Sequence, residues 1–124
     1  MGYSINISHK HKYVCHTHKG IIEREDIGEF WKELLNMEVF TKKGYNLLSD
    51  YTEGTFNFET MELDHIEDFL KSIKDIISGK RYAVLVSSPY ETVISMLYEM
   101  ERGKEVNFTV KTFSSEEAAI QFLT

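Results

Sequence analysis

Four histidines stand close together near the amino terminus: His9, His11, His16 and His18. Each pair is spaced by two, which puts both rings of a pair on one side of an extended strand. Neutral imidazole nitrogens are good ligands for zinc, nickel or copper. A hairpin that folded His9 and His11 back on His16 and His18 would therefore assemble a transition-metal site. Cys15 alternates to the opposite face from His16 and His18 and would not join it. The plainer reading is that these histidines cover an open sheet face or contact another subunit.

A second group with chemical potential is Asp50, Thr52, Ser87, Ser88 and Tyr90. Asp50 and Thr52 end one expected strand, and Ser87 and Ser88 end its expected neighbour. In open α/β sheets, ligands collect at that carboxyl-terminal edge. The free amides before Tyr90, with the two serine hydroxyls, suit a small polar or anionic ligand. Against this, Ser88 is equally explained as a helix cap. No glycine-rich loop opens the backbone to a phosphate, and Asp50 repels an anion.

Other catalytic patterns are absent from the sequence: no Gly-x-Ser-x-Gly elbow, no Gly-Lys-Ser phosphate loop and no Cys-x-x-Cys. Nothing in it calls for a cofactor. Cys15 reads as a small core residue and His65 as a solvated one between Asp64 and Glu67, while Met61, Met96 and Met100 read as packing residues. The 14 basic and 20 acidic side chains give 14 − 20 = −6, which argues against nucleic acid as a partner. No apolar run approaches the roughly 20 residues that span a bilayer. Met1 to Asn6 lacks a basic segment followed by an apolar one, so a secretory signal is not expected, and Asn6 stands where the usual myristoylation pattern has Ser or Thr. With a single cysteine, the expectation is a cytoplasmic protein.

These residues need elements to hold them. A chain of 124 residues, 42% hydrophobic and 27% charged, suits one globular domain. Tyr3 to Ser8 alternates as a half-buried strand, and Tyr13 to Thr17 is a second that Gly20 closes, so the two form a hairpin. Glu23 to Asp26 leads into a helix with Ile27, Phe30, Trp31, Leu34 and Leu35 on one stripe. A third strand runs from Tyr45 to Tyr51, and a loop around Gly54 and Phe56 follows. Thr60 can cap a long helix with Leu63, Ile66, Phe69, Leu70, Ile73, Ile76 and Ile77 on its apolar face. Tyr82 to Val86, apolar throughout, is a strand buried on both sides. Ser88-Pro89-Tyr90-Glu91 starts a helix that continues through Met100. Asn107 to Phe113 is the last strand, and Ser115 caps a final helix carrying Ala118, Ala119, Phe122 and Leu123. The order β-β-α-β-α-β-α-β-α predicts a mostly parallel sheet whose first strand is antiparallel.

Several stretches together resemble the STAS fold of anti-anti-sigma factors and the SpoIIAA-like proteins within it. They are the strand ending at Gly20 before an acidic turn, the Leu-rich strand ending at Asp50, Ala83-Val84-Leu85-Val86 before a capped helix with Met96 and Tyr98, and Val110 to Phe113 before a helix with Ala118, Ala119 and Leu123. The resemblance implies a single STAS-like domain over residues 1–124, strands in roughly sequential order, and helices chiefly on one side. In anti-anti-sigma factors it further implies a partner kinase and phosphorylation of a Ser or Thr in an Asp-Ser-Ser-Gly-Leu-like motif. Here that place is Asp50-Tyr51-Thr52-Glu53-Gly54-Thr55, which departs from the motif in spacing and in its apolar follow-on. The expectation is a non-enzymatic binding or regulatory domain that meets a protein partner or a second copy of itself. Its contact surface would be an open sheet face with His16, His18, Thr109 and Lys111. The alternative is a small polar or anionic ligand-binding protein, or a weak enzyme, using the edge near Asp50, Ser87 and Ser88, with a metal binder built on the histidine cluster as a third reading.

Overall fold

The computed structural model describes residues 2–57, 63–88 and 108–124. The expected cap at Thr60 and the helix from Tyr90 to Met100 lie outside them. In chain order the elements are β1 (Tyr3–Ser8), β2 (Tyr13–His18), β3 (Gly20–Ile22), α1 (Arg24–Leu34), α2 (Glu38–Thr41), β4 (Asn46–Asp50) and β5 (Gly54–Phe56). They continue with α3 (Leu63–Ser72), α4 (Lys74–Ile77), β6 (Arg81–Leu85), β7 (Thr109–Phe113) and α5 (Glu116–Leu123).

The main sheet has the order β1-β2-β4-β6-β7. β1 and β2 form the antiparallel hairpin, with Tyr3 opposite His18 and Ile5 opposite His16. The other neighbours are parallel. This is the mixed α/β sheet the sequence predicts, and its strands follow chain order.

Alternation along the strands sorts side chains onto two faces. Val14, Leu47, Tyr82, Val84 and Val110 face one way and pack with Phe30, Trp31 and Leu34 of α1, Phe40 of α2, Leu70 of α3 and Ile77 of α4. Leu48, Ala83 and Leu85 face the other way, against Ala119 and Leu123 of α5. Ser115 accepts a hydrogen bond from the Ala118 amide at 3.3 Å, so the expected cap of α5 is made. At α1, the Asp26 carboxylate accepts from the Glu23 amide at 2.8 Å, while acidic residues fill the first turn.

Two local readings need correction. Gly20 does not close β2; it opens β3, which pairs in parallel with β5, the segment expected to be a loop. This two-stranded sheet needs a glycine at position 54, because a Cβ there would sit 2.5 Å from Ile22 Cδ1 and 3.0 Å from the His18 carbonyl oxygen. Asn57 seals it, its amide bonding to Ile22 O at 2.8 Å and its side chain to the Glu23 carboxylate at 2.9 Å. The long helix is interrupted at Ile73, whose φ of −116° and ψ of 22° separate α3 from α4. Ser72 turns its hydroxyl back onto the Phe69 carbonyl beside the break, a side-chain bond that competes with helix continuation.

Lys80 is buried at the entry to β6. Its Nζ donates to Phe40 O at 2.6 Å and Tyr45 O at 3.2 Å and lies 4.4 Å from the centre of the Phe40 ring. Burial lowers its pKa to about 8. The side chain ties α2 and the approach to β4 onto β6.

Candidate functional site

The four histidines do not converge. The hairpin register carries His9 and His11 to the turn end of the strands and His16 and His18 toward the other end. His9 Nδ1 hydrogen-bonds the Tyr45 hydroxyl at 3.0 Å, and His11 stacks on Tyr13 with centroids 6.5 Å apart. Among the described residues no group of three or more His, Cys, Asp or Glu side chains is placed to hold a metal ion.

His16 and His18 also leave the surface assigned to them. Their exposures are 0% and 1%, on the face covered by α1 to α4, whereas Thr109 and Lys111 are exposed on the opposite face, the one that carries α5. The cause is parity. His16 shares its side of β2 with Val14, and α1 lays Phe30 flat on the imidazole, 3.7 Å between centroids and 8° from parallel. Tyr3 closes over both rings, at 5.4 Å from His16 and 6.0 Å from His18.

Around His16 lies a polar network that sequence reasoning did not pick out. His16 Nδ1 is 3.1 Å from Ser49 Oγ, and the Tyr82 hydroxyl donates to the same Ser49 oxygen at 2.8 Å. Complete burial raises the Tyr51 pKa, and hydrogen bonding to Ser49 and Tyr82 offsets part of that effect. His16 Nε2 and His18 Nδ1 are buried without a hydrogen-bond partner. An orphan acceptor costs less than an orphan N–H, so the favoured His16 tautomer carries its proton on Nδ1 and donates to Ser49. The only sequence signal for this network was a Ser inside the apolar run Leu47-Leu48-Ser49.

A serine beside a histidine invites a catalytic reading, and the environment argues against it. Burial, with His18 as a secondary cause, lowers the His16 pKa to about 3, which makes it a feeble base at neutral pH. Ser49 is fully buried, so a substrate has no access to its oxygen. His18 is also lowered, by burial first, against the raising effect of Asp26, whose carboxylate lies 4.0 Å from Nε2. Cys15, half-buried on the other face, has its thiol pKa raised by burial and so stays protonated and unreactive.

The strand-end group fares differently. Asp50 Oδ1 accepts from the Thr52 amide at 3.0 Å and from its hydroxyl at 2.7 Å, and Ser87 Oγ donates to the Thr52 carbonyl at 2.8 Å. Tyr51 N also bonds Leu85 O at 2.8 Å, which holds the ends of β4 and β6 together. Asp50, Thr52 and Ser87 therefore meet, with much of their hydrogen-bonding capacity turned on one another. Ser88 follows directly, and Tyr90 lies outside the described residues.

A further surface feature is the β1 edge. Among the described residues β1 pairs with β2 alone. A groove of about 490 Å³ runs beside it, lined by Tyr3, Ser4, Ile5, Ile7, Glu33 and Met37. Ile7 is 38% exposed there, although it lies on the same side of β1 as the packed Tyr3 and Ile5.

The sheet order and the two helical layers define a SpoIIAA-like fold of the STAS kind. An uncharacterised protein of the DUF3478 family from Shewanella loihica PV-4, described as having a SpoIIAA-like fold, superposes with a TM-score of 0.67 at 18% identity. The match covers 99% of this chain and 94% of that one. No family model matches the sequence, and no curated protein does.

Proposed function

We propose that the chain is a non-enzymatic, STAS-like binding or regulatory domain that acts by contacting a protein partner or a second copy of itself. The observation that carries this reading is the β1 edge. Its outer side, away from β2, has no strand partner among the described residues and is bordered by a partly apolar groove that exposes Ile7. Exposed strand edges offer main-chain donors and acceptors to another strand, and a groove beside them receives its alternate side chains. The surface expected from sequence moves accordingly, from a sheet face with His16 and His18 to a sheet edge. Native mass spectrometry and light scattering are expected to show a complex, with itself or with a partner retained in a pull-down. Monomer alone, with nothing retained, would refute the reading.

A second reading has its own observation, the meeting of Asp50, Thr52 and Ser87 at the ends of β4 and β6. It makes the chain a small polar or anionic ligand-binding protein. A thermal-shift screen would then find a stabilising ligand whose effect disappears when Asp50→Ala and Ser87→Ala are combined. A ligand effect that survives both replacements excludes that edge.

A further inference from the structure

We infer that the partner of the β1 edge is a second copy of the same edge, paired antiparallel across a two-fold axis at Ile5. The inference rests on the contact reading above and specifies its occupant. It begins with the direction of the backbone groups. Lys19 N donates to Gly2 O at 3.0 Å, which makes Gly2 and Lys19 a hydrogen-bonded pair of the hairpin. In an antiparallel ladder such pairs alternate with pairs that turn their N–H and C=O outward. Given the register, Ser4, Asn6 and Ser8 bond to β2, while Tyr3, Ile5 and Ile7 point their main-chain groups away from it. The other side of β2 agrees. Asn46 N bonds Lys12 O at 3.0 Å, so the even-numbered residues of β2 serve β4 and the odd-numbered ones serve β1.

Three outward residues spaced by two are self-complementary. With Ile5 opposite Ile5 of the second copy, Tyr3 falls opposite Ile7 of the second copy, and Ile7 opposite Tyr3 of the second copy. Each of these three pairs can exchange two main-chain bonds. The same register keeps Tyr3, Ile5 and Ile7 of both copies on one side of the joined sheet, where the exposed Ile7 side chain and the groove lie. On the other side, Ser4 meets Asn6 and Gly2 meets Ser8, small or polar residues that do not obstruct the approach.

Charge on the strand does not block this occupant, although Glu33, Glu29 and Asp26 of α1 lie near Tyr3. From Tyr3 to Ser8 the edge carries no charged residue and no proline, the devices that normally block strand addition. The opposite edge, β7, presents Lys111. A chain of net charge −6 repels its own copy at most surfaces, and β1 is a stretch where two copies can meet without opposing charges on the strands themselves. Glu33 is the one charged residue lining the groove. The association is therefore expected to hold or strengthen as salt screens the overall repulsion, unlike one built on ion pairs.

Sedimentation and light scattering on the full chain over a concentration series test this. The wild type is expected to form a dimer. Ile5→Pro removes an N–H that β2 does not use, and Ile7→Glu puts a charge at an already exposed position beside Glu33. Each is expected to raise the dimer dissociation constant at least about tenfold, the effect of losing roughly two main-chain bonds or of opposing like charges. Far-UV circular dichroism checks the fold of both variants. Amide exchange on the wild type gives a readout that needs no variant: Tyr3, Ile5 and Ile7 should slow with rising protein concentration. A wild type that stays monomeric, a dimer that persists in both variants, or exchange at these amides independent of concentration overturns the inference. A persistent dimer would leave the broader contact reading standing on another surface, as would a monomer that retains a partner. A monomer that retains none would end both.

Discussion

Replacing Trp31 by alanine is expected to destabilise the chain by roughly 3–5 kcal/mol, a large part of the stability of a domain this size. Trp31 is 2% exposed and is the only tryptophan in the chain. Its indole meets four rings edge-on: Phe40 and Phe69 at 6.0 Å, Tyr82 at 6.2 Å and Phe108 at 6.3 Å. Those rings come from α2, α3, β6 and the residue leading into β7, so one side chain joins α1 to most of the layer above the sheet. Truncation would remove the buried area, leave a cavity that so many separate elements cannot collapse to fill, and forfeit aromatic pairings worth about 0.5–1.5 kcal/mol each. Urea denaturation followed by circular dichroism is the suitable measurement, because the substitution removes the fluorescent reporter. Trp31→Phe, which keeps an aromatic ring, should recover more than half of the loss. A cost below about 1 kcal/mol for Trp31→Ala would show that the helical layer is held elsewhere.

The stripe that carries Trp31 was plain in the sequence, because three-to-four spacing of large apolar residues has one economical structural meaning. The same holds for Tyr82 to Leu85 and for the capped final helix. What did not show was anything that depends on which sheet face is covered. Alternation placed His16 and His18 together and Cys15 opposite, and that was right. It could not say that α1 would descend on the histidine side, although Val14 in the same phase was a hint. The β3–β5 pair was hidden for a different reason. Two three-residue strands have no room for a period, and the glycine that begins each reads as a break. The Ser49 network needed three strands in register before it existed at all. At the strand-end group, local sequence did find residues that meet, but it could not foresee that Thr52 would take up both Asp50 Oδ1 and the Ser87 hydroxyl.

Acidification is expected to expose the His16 network as a weak point. His16 is fully buried, and its pKa falls from 6.5 to about 3 chiefly because burial penalises the charged ring. The unfolded chain binds a proton below pH 6.5 while the folded chain refuses it until about pH 3, so stability is complete above that window and drops as pH falls through it. Linkage puts the loss at about 3 kcal/mol by pH 4.5 and about 4 kcal/mol by pH 3, enough to threaten a marginally stable domain. His18 acts in the same direction, tempered by Asp26. Carboxylates titrate in this range too, so the wild type alone does not isolate the effect. His16→Leu does: it keeps an apolar body against Phe30 and leaves Ser49 bonded to Tyr82, while nothing at that position can take up a proton. The variant should be less stable at pH 7, since the flat ring stack is lost, yet its stability should fall about 3 kcal/mol less than the wild type between pH 7 and pH 4.5. Parallel pH profiles for the two would place the critical proton elsewhere. The wider consequence concerns the β1 edge. Tyr3 packs over both histidines and Ile5 lies opposite His16 in the hairpin, so a proton forced onto His16 would loosen the strand on which the proposed pairing rests.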